Sequence, residues 1–485
     1  MSGKYSNRRD SRKRNPFFAS PLATVLTCML AFLAIGLFIK CGVDLVNKLP
    51  DRPGTSVSAS TTTEEENTDP GAIKVVASAT ISSQGDLLMH KPVIETCVDS
   101  SGKYDFSSIF RYVKDYVAGY DYAVANFETT LGGPEHPYQG NPTFNTPDAF
   151  ADDLVDTGYD MLLTANTHCA DTMASGILRT LEQLRSRNLA TVGTQKDANE
   201  QDYIVIEVNG IRLGISCYTY ATDEKDGRPS LNHNSFLSKS GIVNYYMENK
   251  LDRFYGEVET QINGMKQQGV DAILFYIHWG VEYETKENEM QNKMAQKLCD
   301  LGVDVIIGGH PHVMQPMELL QSTRDPAHRT VCIYSLGNVV SNQREGIDPS
   351  FEGGFTEDGV FFTVTFEKYS DGKVYVSGTD VIPTWVNMHT TGGVKEYNIL
   401  PLADSTRESW RETFNLNDNT MGFAERSYKR TMGIVGEGLE VCQTYLAQAK
   451  EAREEYYYNL AYNPELLETE ATQEPVAEET TLPAA

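Results

Sequence analysis

Residues 302–313 have the sequence GVDVIIGGHPHV, in which a short apolar run ends in two histidines separated by one proline. The run is rich in β-branched residues and is bounded by glycines, which is typical of a buried β-strand. In open α/β sheets, ligands bind beyond the carboxyl ends of the strands. The proline restricts the loop and keeps the two imidazoles close together. Two surface histidines would give the same local pattern, so the pattern gains weight only where other strands repeat it.

Four further strand-like segments also end in residues that can bind a metal. Strands predicted at residues 74–81, 120–125, 159–165 and 271–277 are followed by Asp86 and His90, by Asn126 and Glu128, by Asn166, His168 and Asp171, and by His278. Together with His310 and His312, these side chains form a ligand set that suits Mn, Fe or Zn. One or two such ions would lower the pKa of a bound water and polarise a carbonyl or phosphoryl oxygen. The sequence therefore predicts a divalent-metal centre at the ends of several strands.

Each of these residues also has a simpler interpretation when it is taken alone. Asp86 follows a glycine and could be a turn residue, while Glu128 could cap a helix. His278 could be a half-buried core histidine, and His90 has the weakest context of all. Unrelated histidines would not all follow strands, so the joint placement favours the metal interpretation.

The N-terminal region predicts a membrane anchor. Residues 1–15 carry six basic side chains against one acidic side chain, and residues 16–40 form an apolar segment long enough to cross a hydrocarbon core of about 30 Å. Basic residues before the span predict a cytoplasmic N-terminus and an extracellular main domain. A cleaved signal peptide is the alternative. The sequence Phe38-Ile39-Lys40 argues against it, because signal cleavage requires small residues.

The rest of the chain divides into four predicted regions. Residues 41–71 form a Ser/Thr/Glu-rich linker with too little apolar surface to fold. Alternating strand and helix patterns over residues 72–402 indicate an α/β domain, in which a hairpin turns at Asn209-Gly210. Residues 403–464 are predicted to be helical, and residues 465–485 form an acidic tail that is predicted to be disordered. The helical segment could dock onto the domain or contact partners at the membrane.

Composition excludes some classes of function. The chain of 485 residues carries 67 acidic and 41 basic residues, and its net charge of -26 argues against nonspecific binding to nucleic acid. Its eight cysteines show no CxxC spacing, so a zinc–thiolate site is not expected. Cys217, Cys299 and Cys332 lie in apolar patterns and are predicted to be small buried residues.

The motifs resemble, in order and in sequence, the bacterial capsule-synthesis CapA family, which is associated with poly-γ-glutamate capsules. The resemblance covers about residues 74–402 and is carried by GDLLMH at 85–90, NFETTL at 126–131, FNTP at 144–147, ANTHCAD at 165–171, HWG at 278–280, GHPHVMQ at 309–315, YSLGN at 334–338 and IPTWV at 382–386. It implies a layered α/β/β/α sandwich of the metallophosphoesterase type, preceded here by one transmembrane helix and followed by a helical segment.

The resemblance also implies roles for individual residues. The implied metal ligands are Asp86, His90, Glu128, Asn166, His278, His310 and His312, with Glu128 in the position of a bridging carboxylate. His168 is the implied proton donor and Asp171 is its orienting partner, while Asn126 and Asn338 are predicted to bind substrate. One departure matters: the family has Asn directly before the proton-donating histidine, and this chain has Thr167. The substitution predicts a weakened or missing metal position.

Three functions remain open from the sequence. The first is a membrane-anchored extracellular protein that acts in synthesis, export or anchoring of an anionic polymer such as poly-γ-glutamate, through metal-dependent hydrolysis or transfer. Its expected partners are the membrane, the capsule or wall polymer and a capsule-synthesis membrane complex, without nucleic acid. The second is an outward-facing phosphoesterase, against which the missing Asp-x-His start and Glu128 in place of Gly-Asp both argue. The third is a non-catalytic polymer-binding module, favoured if Thr167 abolishes metal binding.

Overall fold

Two β-sheets packed face to face dominate residues 72–463, the part of the chain that this computed structural model describes. The strands are β1 (Val75–Leu87), β2 (Tyr122–Asn126), β3 (Met161–Leu163), β4 (Ala190–Val192), β5 (Ile204–Val208), β6 (Ile211–Tyr220), β7 (Asp223–Lys225), β8 (Arg228–Ser230), β9 (Tyr245–Tyr246), β10 (Ala272–His278), β11 (Val305–Gly309), β12 (Met314–Gln321), β13 (Arg329–Leu336), β14 (Asn338–Val340), β15 (Asp358–Tyr369), β16 (Val374–Thr391) and β17 (Val394–Pro401). The α-helices are α1 (Lys91–Thr96), α2 (Lys114–Val117), α3 (Ala149–Thr157), α4 (Met173–Arg185), α5 (Leu251–Gln267), α6 (Glu289–Asp300), α7 (Trp410–Thr413) and α8 (Asp418–Tyr462).

The first sheet has the strand order β17-β16-β15-β1-β2-β3-β4, with β14 also beside β1. Strands β1 to β4 are parallel to their neighbours in this order, whereas β15, β16 and β17 pair in the antiparallel direction. The carboxyl ends of the parallel strands therefore meet at one edge, where the residues after β1, β2 and β3 come together.

The second sheet has the strand order β12-β13-β11-β10-β6-β5, with the short β9 beside β6. Its central strands β6, β10, β11 and β13 are parallel, and β5 and β12 add antiparallel edges. The predicted hairpin is confirmed, because Asn209 and Gly210 connect β5 to β6 with φ of 52° and 80°. Positive φ at both central residues is what a two-residue turn of this type requires.

The buried side chains form one layer between the sheets and one on each outer face. Alternate residues of a strand enter different layers: Leu274 and Tyr276 of β10 face the first sheet, whereas Phe275 packs on the outer side. Helices α1 to α3 cover the first sheet, and α5 and α6 cover the second. Burial on both faces explains why these strands are continuous apolar runs. The predicted α/β/β/α layering is confirmed.

Helix α8 closes one side of the sandwich. Its residues Val435, Leu439, Cys442 and Leu446, which are spaced three or four apart, are buried in the layer between the sheets. The helix packs against β12 of the second sheet and β16 of the first. The helical segment after residue 402 therefore docks onto the α/β domain.

Several sequence predictions concern residues outside the described range. The membrane span at 16–40, its flanking residues 1–15, the linker at 41–71 and the acidic tail at 465–485 all lie there. Within residues 72–463, the structure contains no helix both long enough and apolar enough to cross a bilayer. The prediction for Cys217, Cys299 and Cys332 is confirmed, since all three are buried and free.

Candidate metal centre

Two carboxylates from the first sheet form the base of the site. Asp86 lies near the end of β1 and Glu128 lies two residues beyond β2, and both are fully buried. The side-chain amide of Asn126 donates to Oδ1 of Asp86 at 2.7 Å and to Oε2 of Glu128 at 3.1 Å. Two buried carboxylates that share one amide repel each other, so this pair requires positive charge nearby.

The backbone before Asp86 explains why glycine precedes it. A Cβ on Gly85 would lie 1.8 Å from the carbonyl oxygen of Gly337, in the connection between β13 and β14. The amide of Asp86 donates to the same carbonyl at 3.0 Å. This close approach fixes the end of β1 and holds the Asp86 carboxylate in place.

Three histidines from the second sheet face these carboxylates. Nε2 of His278, at the end of β10, lies 3.2 Å from Oε1 of Glu128, and Nδ1 of His312 lies 2.9 Å from Oδ2 of Asp86. The ring centre of His310 is 4.7 Å from that of His278 and 6.0 Å from that of His312. The centre is thus built by two sheets, because the first supplies the carboxylates and the second supplies the imidazoles.

The loop that carries two of these histidines has an uncommon backbone conformation. His310 has φ of 96° and His312 has φ of 57°, and Pro311 lies between them. Residues other than glycine rarely adopt positive φ, and such conformations cost about 1–3 kcal/mol each. Strain of this kind is characteristic of functional sites, where the surrounding structure holds the backbone in place.

The site shifts the pKa values of these groups in opposite directions. Burial and the nearby Glu128 raise the pKa of Asp86. Burial would also raise the pKa of Glu128, but the charges of His278 and His312 outweigh it and hold that pKa below its ordinary value. Burial opposes the charged form of His312, yet Glu128 and Asp86 raise its pKa to about 9. Burial and the neighbouring histidines lower the pKa of His310 well below 6.5, which leaves its imidazole neutral.

The donor set fits a divalent metal ion. Three groups each bring one ligand atom per residue to within 4.8 Å of the others: Glu128 with His278 and His310, Asp86 with Glu128 and His312, and Glu282 with His310 and His312. Glu128 belongs to two of these groups, as expected for a bridging carboxylate. Nδ1 of His310 is buried and has no hydrogen-bond partner among the described residues. Neutral imidazoles and ionised carboxylates are the ligands that Mn, Fe and Zn prefer.

Asn166 and Thr167 lie beside the ligands in different ways. The amide of Asn166 donates to Oδ1 of Asn126 at 3.1 Å and to the Phe127 carbonyl at 2.9 Å. Its Oδ1 is buried without a partner in the described chain, so one acceptor is available to a metal. The Thr167 hydroxyl lies 3.3 Å from both Oε1 of Glu128 and Nε2 of His278. The family's asparagine is therefore replaced by a side chain that contacts two ligands.

His168 and Asp171 form a dyad next to the carboxylates. Nδ1 of His168 lies 2.8 Å from Oδ2 of Asp171, which also accepts from the backbone amide of Phe144 at 2.6 Å. Asn234 donates to the other oxygen of Asp171 at 3.3 Å. These contacts orient the Asp171 carboxylate, which in turn fixes the imidazole and leaves Nε2 of His168 for proton exchange.

The structure does not group His90 with the other candidate ligands. Its Nδ1 lies 3.2 Å from the carbonyl of Leu88 and 3.3 Å from the amide of Asn342. Its ring packs edge-on against Phe144 at 5.1 Å, and the residue precedes the first turn of α1. Burial lowers the pKa of His90 to about 4. These contacts favour a structural role over the predicted role as a metal ligand.

Asn126 and Asn338, which we predicted to bind substrate, are occupied within the protein. Asn126 connects Asp86, Glu128 and Asn166, as described above. Asn338 is fully buried, and its amide lies within 3.3 Å of the carbonyls of His312 and Thr356 and of two side-chain oxygens. Both residues thus position the ligand-bearing segments in this geometry.

Two residues near the ligands were not identified from the sequence. Glu282 is exposed and belongs to one ligand group, and its position four residues after His278 in the same loop was a usable signal. The hydroxyl of Tyr220, at the end of β6, lies 3.3 Å from Nε2 of His310. Tyr220 is the last residue of β6, which pairs with β10 in the parallel direction. Only the order of the strands in the sheet shows that Tyr220 lies near His310.

Comparisons with known proteins agree with these observations. The family model "Bacterial capsule synthesis protein PGA_cap" matches residues 80–343. The chain is 26% identical over 276 residues to the capsule biosynthesis protein CapA of Bacillus anthracis, covering 54% of this chain and 60% of that protein. It is also 26% identical over 263 residues to the PGA biosynthesis protein CapA of Bacillus subtilis strain 168, covering 53% of this chain and 62% of that protein. The matched region therefore spans about three-fifths of each relative.

Two solved structures show weaker similarity. The protein TT1561 of Thermus thermophilus aligns with a TM-score of 0.32 and 8% identity, covering 59% of this chain and 94% of that chain. The purple acid phosphatase PPD1 from yellow lupin seeds aligns with a TM-score of 0.29 and 11% identity, covering 63% of this chain and 53% of that chain. The family match, which covers more than half of the sequence and all of the ligand-bearing loops, shows that this chain belongs to the bacterial capsule synthesis (PGA_cap, CapA-type) family.

Proposed function

We propose that this protein is a membrane-anchored, outward-facing member of its family that acts on an anionic capsule polymer through a divalent-metal centre. The observation that supports this most is the buried pair Asp86 and Glu128, surrounded by three histidines. The relatives named for capsule and PGA biosynthesis support poly-γ-glutamate as the polymer. Because the chain matches only part of those relatives, its activity and partners are part of the proposal.

The residues that would hold metal are Asp86, Glu128, His278, His310 and His312, with the Asn166 oxygen nearby. A bound divalent ion would supply a Lewis acid and a water of lowered pKa, which suits hydrolysis or transfer at an amide or a phosphoester. Tyr220 fixes the ring of His310 through its hydroxyl. Asn126 holds the two carboxylates at a fixed separation. The proposed reaction is therefore a metal-dependent hydrolysis or transfer.

The dyad supplies the proton transfers that such a reaction needs. Asp171 holds Nδ1 of His168 and stabilises the imidazolium when Nε2 takes up a proton. The imidazolium can then return that proton to the leaving amine or hydroxyl group. The side chain of His168 is only 11% exposed, which limits competition from bulk water.

The proposed location rests on the N-terminal sequence. Residues 16–40 would anchor the chain, and the basic residues 1–15 would stay in the cytoplasm. The domain would then meet the polymer outside the cell, together with other proteins of a capsule-synthesis complex. Protease added to intact cells tests this location. Cleavage of the domain with protection of an N-terminal tag is expected, and protection of the domain would refute the outward orientation.

Elemental analysis of the purified full-length chain tests the metal centre. Wild-type protein should carry a stoichiometric transition metal, and His310→Ala should lose it because that histidine belongs to two ligand groups. His136→Ala is the matched control, since His136 is exposed in a loop outside these groups. Absence of metal in wild-type protein, even after reconstitution with Mn, Fe and Zn, would favour the non-catalytic polymer-binding alternative.

A functional test separates the remaining alternatives. A host strain lacking the protein should lose its capsule polymer, and the wild-type chain should restore it, whereas the double variant His310→Ala/His312→Ala should not. Restoration by the double variant would exclude a metal-dependent role. Hydrolysis of an aryl phosphate by the wild-type chain, lost in the double variant while capsule formation persists, would instead support the phosphoesterase alternative.

A further inference from the structure

A cavity of about 210 Å³ lies at the opposite end of the second sheet from the metal centre. Ala272 at the start of β10 lines the cavity, whereas His278 at the end of the same strand belongs to the centre. A strand rises about 3.3 Å per residue, so the two sites are about 20 Å apart. Arg329 at the start of β13 and Arg453 on α8 also line the cavity. The cavity is therefore a separate feature of the fold.

The two arginines of this cavity have no carboxylate partner. Within residues 72–463, neither Arg329 nor Arg453 forms an ion pair, although acidic residues outnumber basic ones by 67 to 41 in the chain. Nη1 of Arg329 donates only to backbone carbonyls, those of Pro326 and His328. Nη1 of Arg453 is buried and has no acceptor in the described chain. This guanidinium donor is therefore available to an acceptor supplied by a ligand.

Aromatic rings hold both guanidinium groups in position. Arg453 stands 3.7 Å from the ring centre of Tyr375, and Arg329 stands 5.5 Å from that of Tyr445. A guanidinium stacked on a ring keeps its charge, and its in-plane N–H groups remain able to bind a carboxylate or phosphate through two hydrogen bonds. The stacking also reduces the entropy that these side chains lose on binding.

The acidic side chains in or near the cavity wall accept hydrogen bonds from the protein itself. Asp304 is the acidic residue among the described lining residues, and its carboxylate accepts from the amide of Ile273 at 2.7 Å. Asp371 accepts from the hydroxyl of Tyr457 at 2.8 Å. The basic side chains of the wall therefore outnumber the acidic ones, in a protein whose net charge is strongly negative.

We infer that this cavity binds an acidic peptide segment, with its carboxylates on Arg329 and Arg453. The apolar part of the wall, which includes Val374, Val376, Leu446 and Ala449, suits the methylene groups that carry such carboxylates. A phosphodiester polymer offers the same charge without those apolar groups. This inference goes beyond the proposed function, because the site lies outside the metal centre and does not depend on it.

Binding of a short, fluorescently labelled oligomer of γ-linked glutamate to the full-length chain in detergent tests the inference. The double variant Arg329→Gln/Arg453→Gln should bind at least about tenfold more weakly at near-physiological ionic strength. The matched control is Arg324→Gln/Arg426→Gln, which removes the same charge outside the cavity. Arg426 also lies on α8 and stacks on an aromatic ring, that of Phe423 at 4.4 Å. The control should bind like wild type.

Three further measurements make the outcome decisive. The variant His310→Ala/His312→Ala should bind the oligomer normally, which separates this site from the metal centre. A thermal unfolding midpoint close to that of wild type shows that the arginine variant is folded, and Arg453→Lys gives a milder second test with an intermediate loss. Equal binding by the arginine variant, or equal loss in the matched control, would overturn the inference. Tighter binding of inorganic polyphosphate than of the oligomer, lost in the arginine variant, would assign the site to a phosphate polymer instead.

Discussion

Oδ2 of Asp86 lies 2.9 Å from Nδ1 of His312, and this contact joins the two sheets. Asp86 belongs to β1 of the first sheet, while His312 follows β11 of the second. The contact between Glu128 and His278, 3.2 Å long, spans the same boundary. Elsewhere the two sheets pack against each other through an apolar layer. At this polar edge, charged side chains hold the sheets together instead. A metal ion there would bind ligands from both sheets at once.

Metal binding should therefore stabilise the fold. An ion that binds only the folded chain adds about 2.7 kcal/mol when its free concentration is a hundred times its Kd. We expect the thermal midpoint of metal-free protein to rise when Mn or Zn is added, and we expect no rise in His278→Ala/His310→Ala. Differential scanning calorimetry measures both. An equal rise in the double variant would place the stabilising ion somewhere else.

The sequence predicted where most strands near the site end, but it did not predict the full length of the first strand. Apolar runs and the residues after them located the ends of β2, β3, β10 and β11, because alternation and strand ends are local properties. The first strand was predicted to end at residue 81, whereas β1 continues to Leu87. Its extra residues include buried polar side chains such as Ser83, whose hydroxyl bonds to that of Tyr276 on the facing sheet at 2.8 Å. A hydrogen-bond partner on the other sheet allows a polar residue to be buried in a strand. The local sequence pattern does not show that such a partner is present.

The candidate site shows the same limit. Asp86, Glu128 and the three histidines were identified because each follows a strand predicted from the sequence. His90 follows the first predicted strand as well, but its ring contacts the backbone carbonyl of Leu88 and the ring of Phe144. Which ligand-capable residue meets the others depends on loop paths and sheet order. These are long-range features that a single sequence does not display.

The close packing of α8 on β12 predicts how two glycine substitutions in this helix change the free energy of unfolding. A Cβ on Gly438 would lie 2.0 Å from the carbonyl oxygen of Met317 on β12, so the helix approaches the strand too closely for alanine. Gly438→Ala should lower the free energy of unfolding by about 1–3 kcal/mol. Gly433→Ala, in the same helix with nothing within 4 Å of its Cβ, should raise it by about 0.5–1 kcal/mol. Urea denaturation distinguishes the two, and equal effects would contradict this packing.

The lowered pKa of His90 predicts that the stability of the protein depends on pH. Burial lowers its pKa from 6.5 to about 4 in the folded state, so between these values the unfolded chain binds more protons. Stability should therefore rise with pH from 4 to 6.5, by an amount of order 2 kcal/mol after allowance for partial exposure. His90→Asn should flatten this part of the stability curve without changing the metal content. Loss of metal in that variant would restore His90 as a ligand.

The dyad should affect turnover without affecting metal binding. Asp171→Asn keeps the size of the side chain but removes the charge that stabilises the imidazolium of His168. We expect kcat on the proposed polymer substrate to fall by about a hundredfold or more, with unchanged metal content. Asp156→Asn, an exposed position on α3, is the matched control. Unchanged turnover in Asp171→Asn would remove His168 from the proposed chemistry.

The Thr167 side chain contacts two of the candidate metal ligands. Its hydroxyl lies 3.3 Å from Glu128 and from His278, so a longer amide at this position would place an oxygen donor directly beside two ligands. Thr167→Asn should therefore raise the affinity for a divalent ion by about tenfold, which is the size of effect that groups beside metal ligands typically have. Equilibrium dialysis against Mn and Zn measures the affinity and the number of ions bound. Thr167→Ser, which keeps the hydroxyl, should behave like wild type. Weaker binding in Thr167→Asn would mean that the threonine itself completes the centre in this chain.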